Sequence, residues 1–160
     1  MQELSTPMGH DQAQATWDTH VRCHVYDYVM QEGVPPSVAA AASALGHSTE
    51  EVAAAFRRLA DANMLVLQPD TGEILMANPF SAVPTPFQVY AGGRSFFGNC
   101  IWDAMGICAM LQQDGRLDTS CGCCGTAMQL TITGGALEPA AGIAHFGLPA
   151  AHWWDNIVFT

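Results

Sequence analysis

The sequence predicts an α+β protein: an N-terminal winged helix-turn-helix module followed by a portion built on β-sheet. Three observations carry that class. Residues 17–61 hold three helical patterns with clear stop and start signals. Residues 65–77 read as strand, turn, strand. "MQLTIT", residues 128–133, alternates apolar and polar side chains as a half-buried strand does.

Residues 1–16 are polar and without periodicity, which predicts a flexible tail. They have neither the basic region nor the apolar core of a secretory signal. The module spans residues 17–77. Its first helix puts Trp17, Val21, Val25, Tyr28 and Val29 on one face, and Gly33-Val34-Pro35-Pro36 stops it. "SVAAAASALG" is a short second helix ended by Gly46. Ser48 with Glu51 three residues on is a capping box that opens the third helix, whose core stripe is Val52, Phe56 and Leu59. A two-stranded wing then turns at Asp70-Thr71-Gly72. Residues 78–86 carry three prolines and are expected to be a linker.

The second domain is expected over residues 87–160. "FQVYAGG" predicts a strand, and a helix follows from Asn99 to Gln113. "DGRLDTSCGCCGTA" reads as irregular. Gly134-Gly135 turns the chain after "MQLTIT", with further strands expected in "AAGIAHFGLP" and "HWWDNIVFT".

Charge excludes some classes of function. Fifteen acidic residues face five basic ones, all arginine, for a net charge of −10. Nucleic acid requires a basic footprint, and an anionic membrane surface requires the same. The third helix carries Arg57 and Arg58 but also Glu50, Glu51 and Asp61, and the wing carries Asp70 and Glu73. Neither nucleic acid nor membrane is therefore an expected partner. No apolar run reaches the roughly 20 residues that span a bilayer. A cytoplasmic location is expected, where six cysteines stay reduced and serve as ligands, nucleophiles or core residues.

Two cysteine constellations stand out. In "FFGNCIWDAMGIC", Asn99 is a good N-cap, which makes Cys100 the first helical residue. The helix dipole and free N–H groups there favour thiolate and predict a lowered thiol pKa. Asp103 lies one turn on, and burial beside a thiolate would raise its pKa. The alternative is that Cys100 and Cys108 are small core residues. In "SCGCCG", Cys121, Cys123 and Cys124 share a glycine-rich loop, and two or three thiolates suit a soft ion. Its alternatives are a loop disulfide, or one buried cysteine with two incidental ones. No second pair elsewhere completes a four-cysteine zinc set. His145 and His152 are weaker ligand candidates.

"FQVYAGGRSFFGNCIWDAMGICAML" and "SCGCCGTAMQLTIT", behind a wing and a proline-bearing linker, resemble the organomercurial (alkylmercury) lyases over roughly residues 20–160. The most specific part is Arg94, Cys100 and Asp103, with Cys121 about twenty residues further on. The resemblance implies a catalytic domain on a mixed β-sheet with short helices, against which the N-terminal module packs without reading DNA. It implies that Cys100 is the first catalytic cysteine, Asp103 the catalytic acid and Cys121 mainly structural. It implies protonolysis of a carbon–mercury bond, giving a hydrocarbon and thiolate-bound Hg(II). No separate cofactor is required, and cellular thiols remove the metal.

The family also uses a second catalytic cysteine on a strand near its C-terminus, and no cysteine follows Cys124 here. Three readings stay open: the chain ends short of that cysteine, the loop of Cys121, Cys123 and Cys124 supplies the second thiolate, or lyase activity is gone and metal binding is kept. The competing functions are thus a lyase, a non-catalytic Hg, Cu or Zn binder using Cys100 and the loop, and a metal-sensing winged-helix regulator.

Overall fold

Valines spaced four apart build the buried face of α1 (Met8–Glu32) in the computed structural model, which describes residues 8–139 and 142–158. Val21, Val25 and Val29 are fully buried. The chain divides into two compact units, Met1–Val83 and Pro84–Thr160.

In the first unit α1 is followed by α2 (Val38–Leu45) and α3 (Thr49–Asp61). The Ala40 N–H donates to Ser37 Oγ at the start of α2, and Gly46, at φ +69°, ends it. Both halves of the Ser48–Glu51 capping box are formed. Val52, Phe56 and Leu59 enter a core with Val21, Val25 and Ala41. Arg58 grips Asp18 of α1 with two hydrogen bonds of 2.8 and 2.6 Å, a fork that fixes α3 on α1. Three antiparallel strands follow: β1 (Val66–Leu67), β2 (Ile74–Ala77) and β3 (Phe80–Ser81), in that spatial order.

Two expectations change here. Residues 8–16 belong to α1 rather than to a tail, while residues 1–7 lie outside the described residues. The Ala- and Gln-rich run is helix-forming without any apolar stripe, so periodicity does not reveal it. Residues 78–86, expected as linker, contain β3, which pairs Met76 with Ser81 and Ala77 with Phe80. The fully buried Phe80 anchors that strand, and Pro79 stands in the turn where it withholds no ladder N–H.

The second unit is a five-stranded sheet of β4 (Gln88–Ala91), β5 (Arg94–Phe97), β6 (Gly115–Ser120), β7 (Ala127–Thr133) and β8 (Ala136–Glu138). Its order is β5-β4-β6-β7-β8, with α4 (Ile101–Leu111) against β4 and β6. Every pairing is antiparallel, which corrects the expected mixed sheet. The α4 crossover does join two parallel strands, β5 and β6, but β4 lies between them and is antiparallel to both. Gly92-Gly93 and Gly134-Gly135, all at positive φ, make the two-residue hairpin turns of β4–β5 and β7–β8. Val89, Phe96, Leu117 and Leu130 from the sheet are buried, as are Ala104, Ile107 and Cys108 from α4. A Cβ on Gly115 would stand 2.5 Å from Cys108 Sγ, so glycine lets the helix approach β6.

The stretch expected to be irregular thus holds β6. Its one fully buried side chain is Leu117, and its polar neighbours Arg116 and Asp118 form an ion pair at 2.9 Å. One apolar position is too little for a legible alternation. The "HWWDNIVFT" strand is replaced by a 3₁₀ turn over Ala150–Asp155, with residues 159–160 outside the described residues. There His152 Nδ1 meets Asp155 Oδ2 at 2.9 Å and Trp153 Nε1 donates to the Leu148 carbonyl, so polar groups are satisfied locally. Residues 142–149 form no strand, and residues 140–141 lie outside the described residues. Among the described residues no helix is long and apolar enough to cross a membrane.

Candidate active site

β5 leads directly into the site. Gly98 follows it, donating its N–H to the Phe87 carbonyl and accepting from Thr85 Oγ1. A Cβ on Gly98 would lie 2.6 Å from the Ala104 nitrogen. The bare backbone therefore sits against the first turn of α4 and sets where that turn begins.

That first turn presents Cys100 and Asp103, and the two side chains meet: Cys100 Sγ donates to Asp103 Oδ2 at 3.5 Å. Cys100, not Asn99, is the N-cap, with extended backbone at φ −143° and ψ −179°, and the helix runs from Ile101 rather than Asn99. Asn99 instead hydrogen-bonds the Asp103 carboxyl through its side chain. The expected thiol shift is reversed. Burial pushes the Cys100 thiol above its ordinary value and the Asp103 charge adds to that, while the backbone N–H groups of Asp103 and Trp102 offset part of it. Half-burial removes water, and here that outweighs the helix terminus. Burial also raises Asp103, against the opposing hydrogen bonds from Cys100 and Asn99. The result is a thiol and a carboxyl that both hold protons more firmly than usual.

Beside this pair lies a cavity of about 690 Å³ whose wall is mainly apolar, with Phe87, Ile101, Met105, Met128 and Leu130 prominent. Cys100 and Asp103 are not in that wall, but Ile101, next to Cys100, is. Cys121, Cys123 and His145 line it too. So does Thr119, whose buried hydroxyl has no hydrogen-bond partner among the described residues. An edge-on ring contact from Trp102 to Phe146, and a tilted one from Phe146 to Trp153, tie the C-terminal segment to the start of α4.

The three loop cysteines lie between β6 and β7. Ser120 pairs with Ala127 at the hairpin mouth, and the Cys121 N–H donates to the Thr126 carbonyl at 2.8 Å. Cys124 Sγ and Thr126 Oγ1 are hydrogen-bonded at 3.2 Å. The hydroxyl and N–H of Thr126, then the Cys121 side chain, hold the Cys124 thiol below its ordinary value. All six cysteines are free, so the loop disulfide considered from sequence is not formed. Among the described residues no group of three or more His, Cys, Asp or Glu side chains is placed to hold a metal ion, so Cys100 with Cys121, Cys123 and Cys124 does not form a single ligand set. His152 is exposed and turned to Asp155. Cys108 is buried against Gly115, a core position.

Sequence reading missed Asn99 as a partner of the acid, although its i, i+4 spacing to Asp103 is a usable signal. It missed Met105, which shares the Ile101 face of α4, for want of a buried-helix pattern. Thr119 was hidden in the unrecognised strand β6.

The site is thus a hydrogen-bonded thiol–carboxyl pair at a helix start, with an apolar cavity beside it on an antiparallel sheet. The family model of the alkylmercury lyases, MerB, matches residues 80–160, and the chain belongs to that family. A crystal structure of the mercury-bound form of MerB2 is similar, with 23% identity and a TM-score of 0.57, over 73% of this chain and 57% of that one. At that identity the likeness is one of fold, and the chain spans little more than half the length of the protein it matches. No curated protein matches the chain in sequence.

Proposed function

We propose that this chain cleaves organomercurials by protonolysis. The observation that carries the reading is the Cys100–Asp103 hydrogen bond, in which the thiol donates to a carboxyl whose proton affinity burial raises. In R–Hg–X, mercury takes the Cys100 sulfur, X⁻ leaves, and the thiol proton passes to Asp103. A second thiolate, from the Cys121–Cys124 loop or from a cellular thiol, then donates into mercury and weakens the carbon–mercury bond. Asp103 returns its proton to the leaving carbon. R–H departs and Hg(II) stays between two sulfurs, so thiolate ligation and general acid catalysis act in sequence. The apolar cavity accommodates R, and Asn99 orients the acid. Mercury is substrate and product, and no further cofactor enters.

In this reading the first unit is a winged-helix-like structural module in a cytoplasmic protein. Arg58, one of the two arginines on α3, is spent on Asp18, which fits a unit without a nucleic-acid partner. A second reading, a non-catalytic binder of soft metal ions, is favoured by the Cys121 and Cys123 thiols on the cavity wall.

The reduced protein with methyl- or phenylmercury and excess thiol should release methane or benzene, measured by headspace gas chromatography. Cys100→Ser and Asp103→Asn should each stop release. Tight mercury binding without any hydrocarbon would sink the lyase and leave the binder. Release that survives Cys100→Ser would sink the site assignment.

A further inference from the structure

Part of the cavity wall is neither sheet nor helix. Strands β7 and β8 give it Met128, Leu130 and Leu137, and α4 gives it Ile101 and Met105. Residues 142–145, beyond β8, add to that wall. All four are exposed, and Ile143 keeps 93% of its surface in solvent at the edge of an apolar cavity. An aliphatic side chain in that place has a burial gain that is still unrealised. Both ends of the stretch are defined. Gly142, at φ +136°, has nothing within 4 Å of where a Cβ would stand, so the backbone is free to turn there. Phe146, at the other end, is in ring contact with Trp102 and Trp153, at centroid distances of 6.4 and 5.1 Å. Trp102 belongs to the first turn of α4, next to Asp103, so the stretch is anchored to the turn that carries the acid.

We propose that residues 142–146 form a lid that closes on a neutral aromatic group in the cavity, with Ile143 as the side chain that covers it and Phe146 as the fixed end. Three features choose that occupant. The cavity, about 690 Å³, lies in the range of about 300–1,000 Å³ that takes drug-sized ligands, so a methyl group leaves most of it empty. Among the described residues its wall holds no Asp, Glu, Lys or Arg, so nothing there pairs with a charged ligand. The net charge of −10 also disfavours an anion. When an aromatic group fills the cavity to its edge, Ile143 turns inward and leaves water, a contact that a methyl group does not reach. For the substrate, this inference rests on the lyase reading and deepens it: the favoured R is an aryl group rather than methyl. The lid itself needs neither mercury nor the Cys100–Asp103 pair.

The test uses the full, reduced chain and N-phenyl-1-naphthylamine, a neutral apolar fluorophore that brightens on leaving water. Saturable binding is expected, with slower amide hydrogen exchange over residues 143–146 in the bound form. Covering one aliphatic side chain is worth about tenfold in affinity, so Ile143→Asn should weaken the probe by about that factor and Ile143→Leu should restore it. Ile143 is exposed, so neither variant disturbs the core. Phe146→Ala, which frees the fixed end, should weaken the probe as well. Met110→Gln, which changes an exposed apolar side chain of α4 outside the cavity wall, should leave binding unchanged. In hydrocarbon release, Ile143→Asn should raise the KM for phenylmercury about tenfold and that for methylmercury by less. Absent release with the probe results intact sinks the lyase reading and leaves the lid. The proposal is overturned by a parent that does not bind the probe, by Ile143→Asn or Phe146→Ala binding as tightly as the parent, or by equal weakening in Met110→Gln. Unaltered exchange over residues 143–146, or equal KM shifts for the two mercurials, overturns it too.

Discussion

Cys100 and Cys124 belong to the same unit, yet their thiols are driven in opposite directions. At Cys100 burial dominates and the proton is held, while at the exposed Cys124 hydrogen bonds from Thr126 and Cys121 dominate and the proton is lost more readily. The difference teaches that a cysteine's environment, not its position in a motif, decides its part. At Cys100 the thiol donates to a carboxyl whose proton affinity is itself raised by burial, an arrangement suited to handing a proton from one to the other. At Cys124 hydrogen bonding favours the thiolate instead. The helix start at Cys100 predicted thiolate, and half-burial reversed it.

The largest way to break this contrast is to remove the acid. Asp103→Asn keeps the shape and an acceptor for Cys100 but has no proton to give. Hydrocarbon release should fall about 10²–10⁴-fold, the usual contribution of a general acid, with mercury still captured. A fall below about tenfold would mean that the proton comes from elsewhere. Next in size is Gly98→Ala, whose methyl would meet the Ala104 backbone at 2.6 and 2.8 Å. Overpacking of this kind costs about 1–3 kcal/mol. Urea unfolding followed through the second unit should show it, and release should fall as the first turn of α4 is displaced. Unchanged stability and activity would show that Gly98 does not set the position of Cys100.

Much of the contrast was legible because it is local. The capping box at Ser48 and Glu51, the Gly46 stop and the Cys100–Asp103 spacing are all written within four residues of chain. What escaped was tertiary. β6 buries only Leu117 fully, and its identity as a strand comes from pairing with β4 and β7 rather than from pattern. A helix between two strands suggests a parallel pair, yet β4 intervenes and every ladder is antiparallel. Asn99 reads as a cap but turns to Asp103 once the helix begins two residues later. The direction of the Cys100 shift depends on how much water the fold removes, which no local spacing encodes.

A smaller effect sharpens the role of Asp103 through stability. Its carboxyl holds a proton to higher pH when folded than when unfolded. The folded state thus binds more protons between the unfolded value, about 3.9, and the raised folded one. Stability falls as pH rises through that window, and the penalty is complete above it. Asp103→Asn escapes the penalty. The variant should be more stable than the parent near neutral pH, and the gain should vanish below the ordinary carboxylate range. Paired urea titrations across pH measure it, and a gain that grows toward acid would reverse the assigned direction.

The smallest effect concerns the other thiol. Iodoacetamide reacts with thiolate, so its rate against pH reports each sulfur in turn. Cys124 should reach half-maximal alkylation at lower pH than Cys100, read by mass spectrometry of the separate peptides that Arg116 cleavage provides. Thr126→Val removes the hydroxyl bonded to Cys124 Sγ at 3.2 Å and leaves the backbone N–H in place. The Cys124 midpoint should then rise only part-way toward an ordinary thiol, with Cys100 unmoved. If Thr126→Val shifts neither, the hydroxyl does not support the loop sulfur, and the Cys124 side of the contrast rests on the remaining Thr126 N–H and Cys121.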